Sequence, residues 1–126
     1  MTAWRRPLAV FLGGMAGGGA RLGLSAAFAS PNGIPWGTLV ANLSGALLLG
    51  YVLTRLLAGA RRTTLTVPLI CTGVLGSYTT FSALSLETWT LLREGRAALG
   101  VGDAASSVVL GLVAAAGGIR VAERRR

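Results

Sequence analysis

The chain has 126 residues, 52% of them hydrophobic and 13% charged, with a mean hydropathy of +0.65. A soluble domain of that size needs more polar surface to cover its core. The length allows four bilayer spans of roughly 20 residues with short connections, so no separate soluble catalytic domain is expected. The net charge of +8 does not point to nucleic acid: all 12 basic residues are Arg, clustered between or beyond apolar runs as the positive-inside rule requires, with no solvated basic face.

His is absent, the single Cys71 lies within an apolar run, and the four acidic residues are widely spaced. Neither an intrachain disulfide nor a zinc or calcium site is expected. Trp4-Arg5-Arg6-Pro7 ahead of an apolar stretch looks like a signal peptide. That stretch outruns a signal's length, however, and no small-residue cleavage site precedes a soluble domain. It reads as a retained first helix.

The predicted elements are four helices, at about 7–29, 35–57, 65–92 and 97–121. Ser30-Pro31-Asn32-Gly33 is a turn signal closing the first. Pro35 suits the start of the second, Trp36 suits an interface, and Arg55 to Arg62 close it. With the N-terminus cytoplasmic, that side holds Arg5, Arg6, Arg55, Arg61, Arg62, Arg120, Arg124, Arg125 and Arg126; the other holds Arg93, Arg96 and Arg21. Nine against three places both termini inside. Gly13 and Gly17, Gly14 and Gly18, then Gly37, Ala41 and Gly45 form faces of small residues that predict close helix packing and nothing more.

Polar side chains in lipid need partners. Thr38 and Asn42 share a face of the second helix. Asn42 either bonds another helix or donates to an anion in transit. In the third segment, Gly73-Val74-Leu75-Gly76-Ser77-Tyr78-Thr79-Thr80-Phe81-Ser82 has poor helix propensity. Helix interruptions at membrane depth persist only where freed backbone groups find partners. A break is expected near Gly76 to Thr80, with carbonyls free for a cation and N–H and hydroxyl groups free for anions; an unbroken helix with back-bonded hydroxyls is the alternative. Position alone favours a lipid or core role for Phe81, and edge-on contact with an anion is the sharper reading. Glu87 is either an interfacial charge paired with Arg93 or Arg21, or a vestibule residue tuning ion entry. Ser106 and Ser107 extend a polar track or bond their own helix, and Arg21 can snorkel or cap a carbonyl.

On these residues the chain resembles the Fluc (CrcB) family of fluoride channels over nearly its whole length. The resemblance rests on Gly13-Gly14-x-x-Gly17-Gly18-x-x-Arg21, Gly37-Thr38-Leu39-Val40-Ala41-Asn42-x-x-Gly45, and Gly73-x-x-Gly76-x-x-Thr79-Thr80-Phe81-Ser82 followed by Glu87. It implies an all-α membrane protein of four transmembrane helices, the third broken near its middle, paired as an antiparallel dimer with two pores in the cell membrane. It implies a structural Na⁺ on backbone carbonyls of Gly76 and Thr79. Fluoride would be handled by Asn42, Phe81, Thr38, Thr80, Ser82 and Ser107, with Arg21 and Glu87 in the vestibules. The implied purpose is release of fluoride that has accumulated as HF. Neutral donors suit such a pore, because a fixed cation would hold fluoride too tightly to release it.

One departure is Leu84, where family members usually carry a second phenylalanine. With the charge bias it raises the expectation of a heterodimer with a homologous subunit in place of a homodimer. Two rivals are weaker. A small four-helix multidrug exporter needs an acid in the first helix, and residues 7–20 contain none. A non-conducting scaffold explains the glycines and leaves the polar third segment unexplained. No nucleophile, base or metal site suggests an enzyme.

Overall fold

The computed structural model describes residues 4–31, 33–59 and 64–125. Asn32 of the turn signal, and Arg61, Arg62 and Arg126 of the charge count, lie outside the described residues. Every regular element among those described is helical. Four helices are long and apolar enough to cross a membrane: Arg5–Ala27, Trp36–Ala58, Val67–Arg93 and Ala97–Arg124. The last runs past the expected end at Val121, with Arg124 in its final turn, where a cation complements the helix dipole.

The third span has three parts. Val67–Leu75 is wound as a π-helix, so the Gly76 N–H reaches back five residues to the Cys71 carbonyl. One α turn follows over Gly76–Tyr78. Thr79 (φ −80°, ψ 155°) and Thr80 (φ −152°, ψ 126°) are extended, and an α-helix restarts over Phe81–Arg93. Thr80 caps that restart, its Oγ1 accepting from the Ala83 N–H at 3.2 Å, so a threonine that is poor inside a helix is well placed before one.

The first helix packs on the leading half of the third span, and the second helix packs on the fourth. Glycine makes both contacts close. A Cβ on Gly13 would strike the Leu69 carbonyl and one on Gly17 the Val74 carbonyl, while Gly73 faces Gly13 from the other side. Gly50 and Gly118 likewise lie against the carbonyls of Ala115 and Leu47. The parallel stripe of Gly14 and Gly18 does not pack in this way: a Cβ on Gly18 would meet nothing within 4 Å, and one on Gly14 would meet only Ser77 Oγ, at 3.2 Å. Both stripes have the same spacing, and only the rotation of the helix separates them.

The two ends differ in charge. At one, Arg55 Nη1 donates to the Arg125 carbonyl at 2.9 Å, tying the second helix to the fourth. At the other, Gly95 (φ +74°) ends the third span, with the Arg96 N–H on the Leu91 carbonyl at 2.9 Å. That geometry requires a left-handed residue, hence glycine. The outer faces carry large apolar side chains, among them Phe11, Leu22, Leu86 and Leu112, all more than half exposed.

The packing predicts opposite outcomes for neighbouring glycines. Gly17→Val is expected to cost at least about 1–3 kcal/mol by overpacking, and Gly18→Ala to stay within about 0.5 kcal/mol of wild type. Thermal unfolding in detergent measures both.

A polar groove beside the third span

An unbroken helix would send the Thr80 N–H to the carbonyl of Gly76. Here it donates to Asn42 Oδ1 at 2.8 Å, and Asn42 Nδ2 donates to the Thr80 carbonyl at 3.0 Å. The side-chain amide thus pairs with both backbone groups of one residue, as a neighbouring strand would. One N–H of Asn42 Nδ2 is left over by this pairing. The Ser77 carbonyl, also near the end of the leading half, accepts from Arg21 Nε at 3.1 Å. Arg21 is therefore a carbonyl cap, and Glu87 is not its partner.

Gly45 lets the second helix approach here, since a Cβ on it would strike the Thr79 methyl group. Nearby, Ser44 Oγ and Tyr78 Oη lie 2.9 Å apart. Thr79 Oγ1 donates to the Leu75 carbonyl at 3.0 Å, so that hydroxyl is spent within its own helix. Alongside lies a groove of about 360 Å³, whose lining includes Asn42, Gly76, Thr79, Thr80, Phe81 and Ser107. No charged side chain lines it. Phe81 is 78% exposed and is among the residues that line the groove. Ser107 is 6% exposed, and its Oγ has no hydrogen-bond partner. Leu84 also lines the groove, yet it is buried at 6% exposure and so belongs mainly to the core.

The remaining expected site residues stand apart from the groove. Ser82 is exposed, with its Oγ 3.1 Å from Thr80 Oγ1. Thr38, one turn before Asn42, donates to Glu87 Oε1 at 2.6 Å. Glu87 forms no ion pair with Arg21 or Arg93 among the described residues; the ion pair at this end joins Arg96 and Glu94 at 3.6 Å. Pairing Glu87 with either arginine is one reading of the sequence; instead Arg21 is committed to the Ser77 carbonyl and Glu87 accepts from Thr38. Ser106 Oγ donates to the Asp103 carbonyl at 3.0 Å, bonding its own helix.

Two features escaped the sequence reading. The π-helical winding of Val67–Leu75 has no evident signal in the residues. Asp103 was counted only as one of four scattered acids, although a carboxylate inside an apolar span is itself a flag. Its Oδ2 and the Oε2 of Glu87 are both buried without a hydrogen-bond partner.

Four apolar spans, three of which line a groove that holds a few uncharged donors, define a multi-pass membrane protein. The chain belongs to the family described as CrcB-like protein, Camphor Resistance (CrcB), whose model matches residues 8–119. It is 41% identical over 112 residues to a protein of Mycolicibacterium paratuberculosis named fluoride-specific ion channel FluC 1, covering 88% of this chain and 85% of that one. It is 45% identical over 106 residues to fluoride-specific ion channel FluC of Salinibacter ruber, covering 82% and 79% respectively. The protein of the same name in Paracoccus denitrificans is 43% identical over 116 residues, covering 90% of this chain and 91% of its own.

Asn42→Ala removes both bonds to Thr80 and leaves its N–H and carbonyl without their side-chain partner. The expected cost is about 1–3 kcal/mol, with faster hydrogen exchange at the Thr80 amide than at Leu91 in the same span. Equal exchange at the two amides in the variant would argue against the clamp.

Proposed function

We propose that this chain is a subunit of a fluoride-selective channel that lets cytoplasmic fluoride leave the cell. The observation that carries the reading is the groove itself: a mostly apolar wall carries a few neutral donors and an aromatic side chain, with no fixed charge. Fluoride is small and strongly hydrated, so a path must replace its water with hydrogen-bond donors yet release the ion afterwards. The spare N–H of Asn42, the unpartnered hydroxyl of Ser107, the Thr80 hydroxyl and the positive edge of Phe81 supply that character. Thr38, Ser82, Glu87 and Arg21 then belong to the approaches. Thr38 stands one turn along the second helix from Asn42 and donates to Glu87 of the third span, and Arg21 braces the Ser77 carbonyl.

The groove is open along one side, which supports a pore completed by a second subunit. In this reading the third span is interrupted at Thr79–Thr80, and two subunits meet there in antiparallel orientation. A Na⁺ between them fits the donor set. Diverting the Thr80 N–H to Asn42 releases the Gly76 carbonyl, and hard alkali cations take oxygen ligands. Gly76 and Thr79 would hold the ion through their carbonyls, with matching groups from the partner, and the ion would fix the two subunits together.

The nine-to-three arginine bias gives this chain one orientation. An inverted copy would carry its arginines on the wrong side, so a homologous subunit of opposite bias is the proposed partner. Leu84 agrees, since a phenylalanine from that subunit would restore the missing ring.

Proteoliposomes loaded with fluoride or chloride test this reading with ion-selective electrodes, using the chain alone and together with a homologous partner. Fluoride efflux without chloride efflux is expected from the pair. Equal rates for the two ions reject selectivity, and absence of fluoride efflux from both preparations rejects the channel. Efflux from the chain alone rejects the heterodimer and leaves the channel standing. In a conducting preparation, Asn42→Asp is expected to stop fluoride by adding like charge, and Phe81→Ile to slow it about 2–10-fold, the worth of an aromatic contact. Unaltered rates place both side chains outside the path.

A further inference from the structure

A second cavity, of about 300 Å³, lies between the start of the second helix and the fourth helix, with Leu91 of the third span among its lining residues. Trp36, Leu39, Leu99 and Leu110 make it apolar, and Asp103 is the one charged residue on its wall. The Ser106 hydroxyl, also on the wall, is already committed to the Asp103 backbone carbonyl. Asp103 Oδ2 is buried without a hydrogen-bond partner, and no arginine among the described residues forms an ion pair with this carboxylate. On the adjoining third span, Glu87 lies within electrostatic reach of Asp103 and receives only the neutral Thr38 hydroxyl. This end of the chain therefore holds two neighbouring carboxylates within the bundle and, among the described residues, no cation paired with either.

A buried carboxylate needs positive charge or a donated hydrogen. The depth indicates where each comes from. Asp103 lies six residues beyond Ala97, about 9 Å along the helix, near the level that Trp36 marks as an interface. Lipid headgroups are at that depth. We propose that this cavity binds a lipid with a primary ammonium headgroup, of the phosphatidylethanolamine kind. The ammonium sits against Asp103 and the upper acyl chain lies along Leu39, Leu99 and Leu110. An ethanolamine headgroup brings both the charge and the hydrogens that the carboxylate lacks. A choline headgroup brings charge without a hydrogen to donate, and an anionic glycerol lipid is repelled by the two acids. The site lies on a different face from the groove and does not depend on which ion the chain conducts.

The test uses the full chain reconstituted with equal amounts of phosphatidylethanolamine, its N-monomethyl and N,N-dimethyl forms, phosphatidylcholine and phosphatidylglycerol. After extraction in mild detergent, lipid retained by the protein is measured by mass spectrometry. Retention is expected to fall as each methyl group replaces a hydrogen, reaching about tenfold or more between the ends of that series, the lower end of the range for one charge-assisted hydrogen bond. Asp103→Asn is expected to abolish the trend. Leu110→Trp, which fills the cavity and keeps the carboxylate, is expected to lower retention of ethanolamine lipid. Equal retention across the series, greatest retention of the anionic lipid, or a trend that survives Asp103→Asn overturns the proposal. The wild-type series decides it even where a variant does not assemble.

Discussion

A peptide group that leaves its helix inside hydrocarbon has no water to bond, and several kcal/mol are at stake for each unpaired N–H or carbonyl. In this chain Thr80 is such a residue, and Asn42 answers both of its backbone groups with one side-chain amide. Much else in the molecule follows from that pairing. It needs the second helix close to the third span, which Gly45 permits. It also depends on the leading half of the third span being anchored, and the interlocked Gly13, Gly17 and Gly73 hold that half against the first helix. Arg21 then caps the Ser77 carbonyl from the same first helix. Three helices thus converge on one stretch of backbone.

The clamp also defines what remains available. Asn42 uses its oxygen and one N–H on Thr80, so at most one N–H faces the groove. The Thr79 hydroxyl is spent on Leu75, and the Thr80 hydroxyl caps the restarted helix. Ser107 keeps an unpartnered hydroxyl. In the proposed channel, a sparse set of weak donors, most of them partly committed to the fold, would suit brief contact with an ion better than tight binding. That balance follows from a packing requirement, because the groups that stabilise the extended pair also line the groove beside it.

The acidic residues follow a different logic. Glu87 and Asp103 are drawn together by the packing of the trailing half of the third span on the fourth helix, with neither offset by an arginine among the described residues. Arginines at the same end are occupied elsewhere, Arg96 with Glu94 and Arg21 with a carbonyl. Two carboxylates without an ion pair at one end, and the Arg55–Arg125 contact at the other, distinguish the two ends of the bundle.

Composition and hydropathy by themselves determined that the chain is helical and lies in a membrane, because apolar runs of span length have no other stable solution in lipid. The spacing of Thr38, Asn42 and the Thr79-Thr80-Phe81 run marked where polar groups gather, since side chains four residues apart on a helix share a face. What each polar group bonds to was decided only by tertiary structure. Asn42 was legible as either glue or donor, and contact with Thr80 makes it glue with one hydrogen to spare. Glu87 could have met Arg21 or Arg93, and it met Thr38. Asp103 passed as a scattered acid until the fourth helix brought it near Glu87. Two glycine stripes of equal spacing became one packed and one open. Sequence spacing sets which residues share a face of their own helix, but the rotation and approach of neighbouring helices choose the partner across the gap, and that choice is made by all the contacts together.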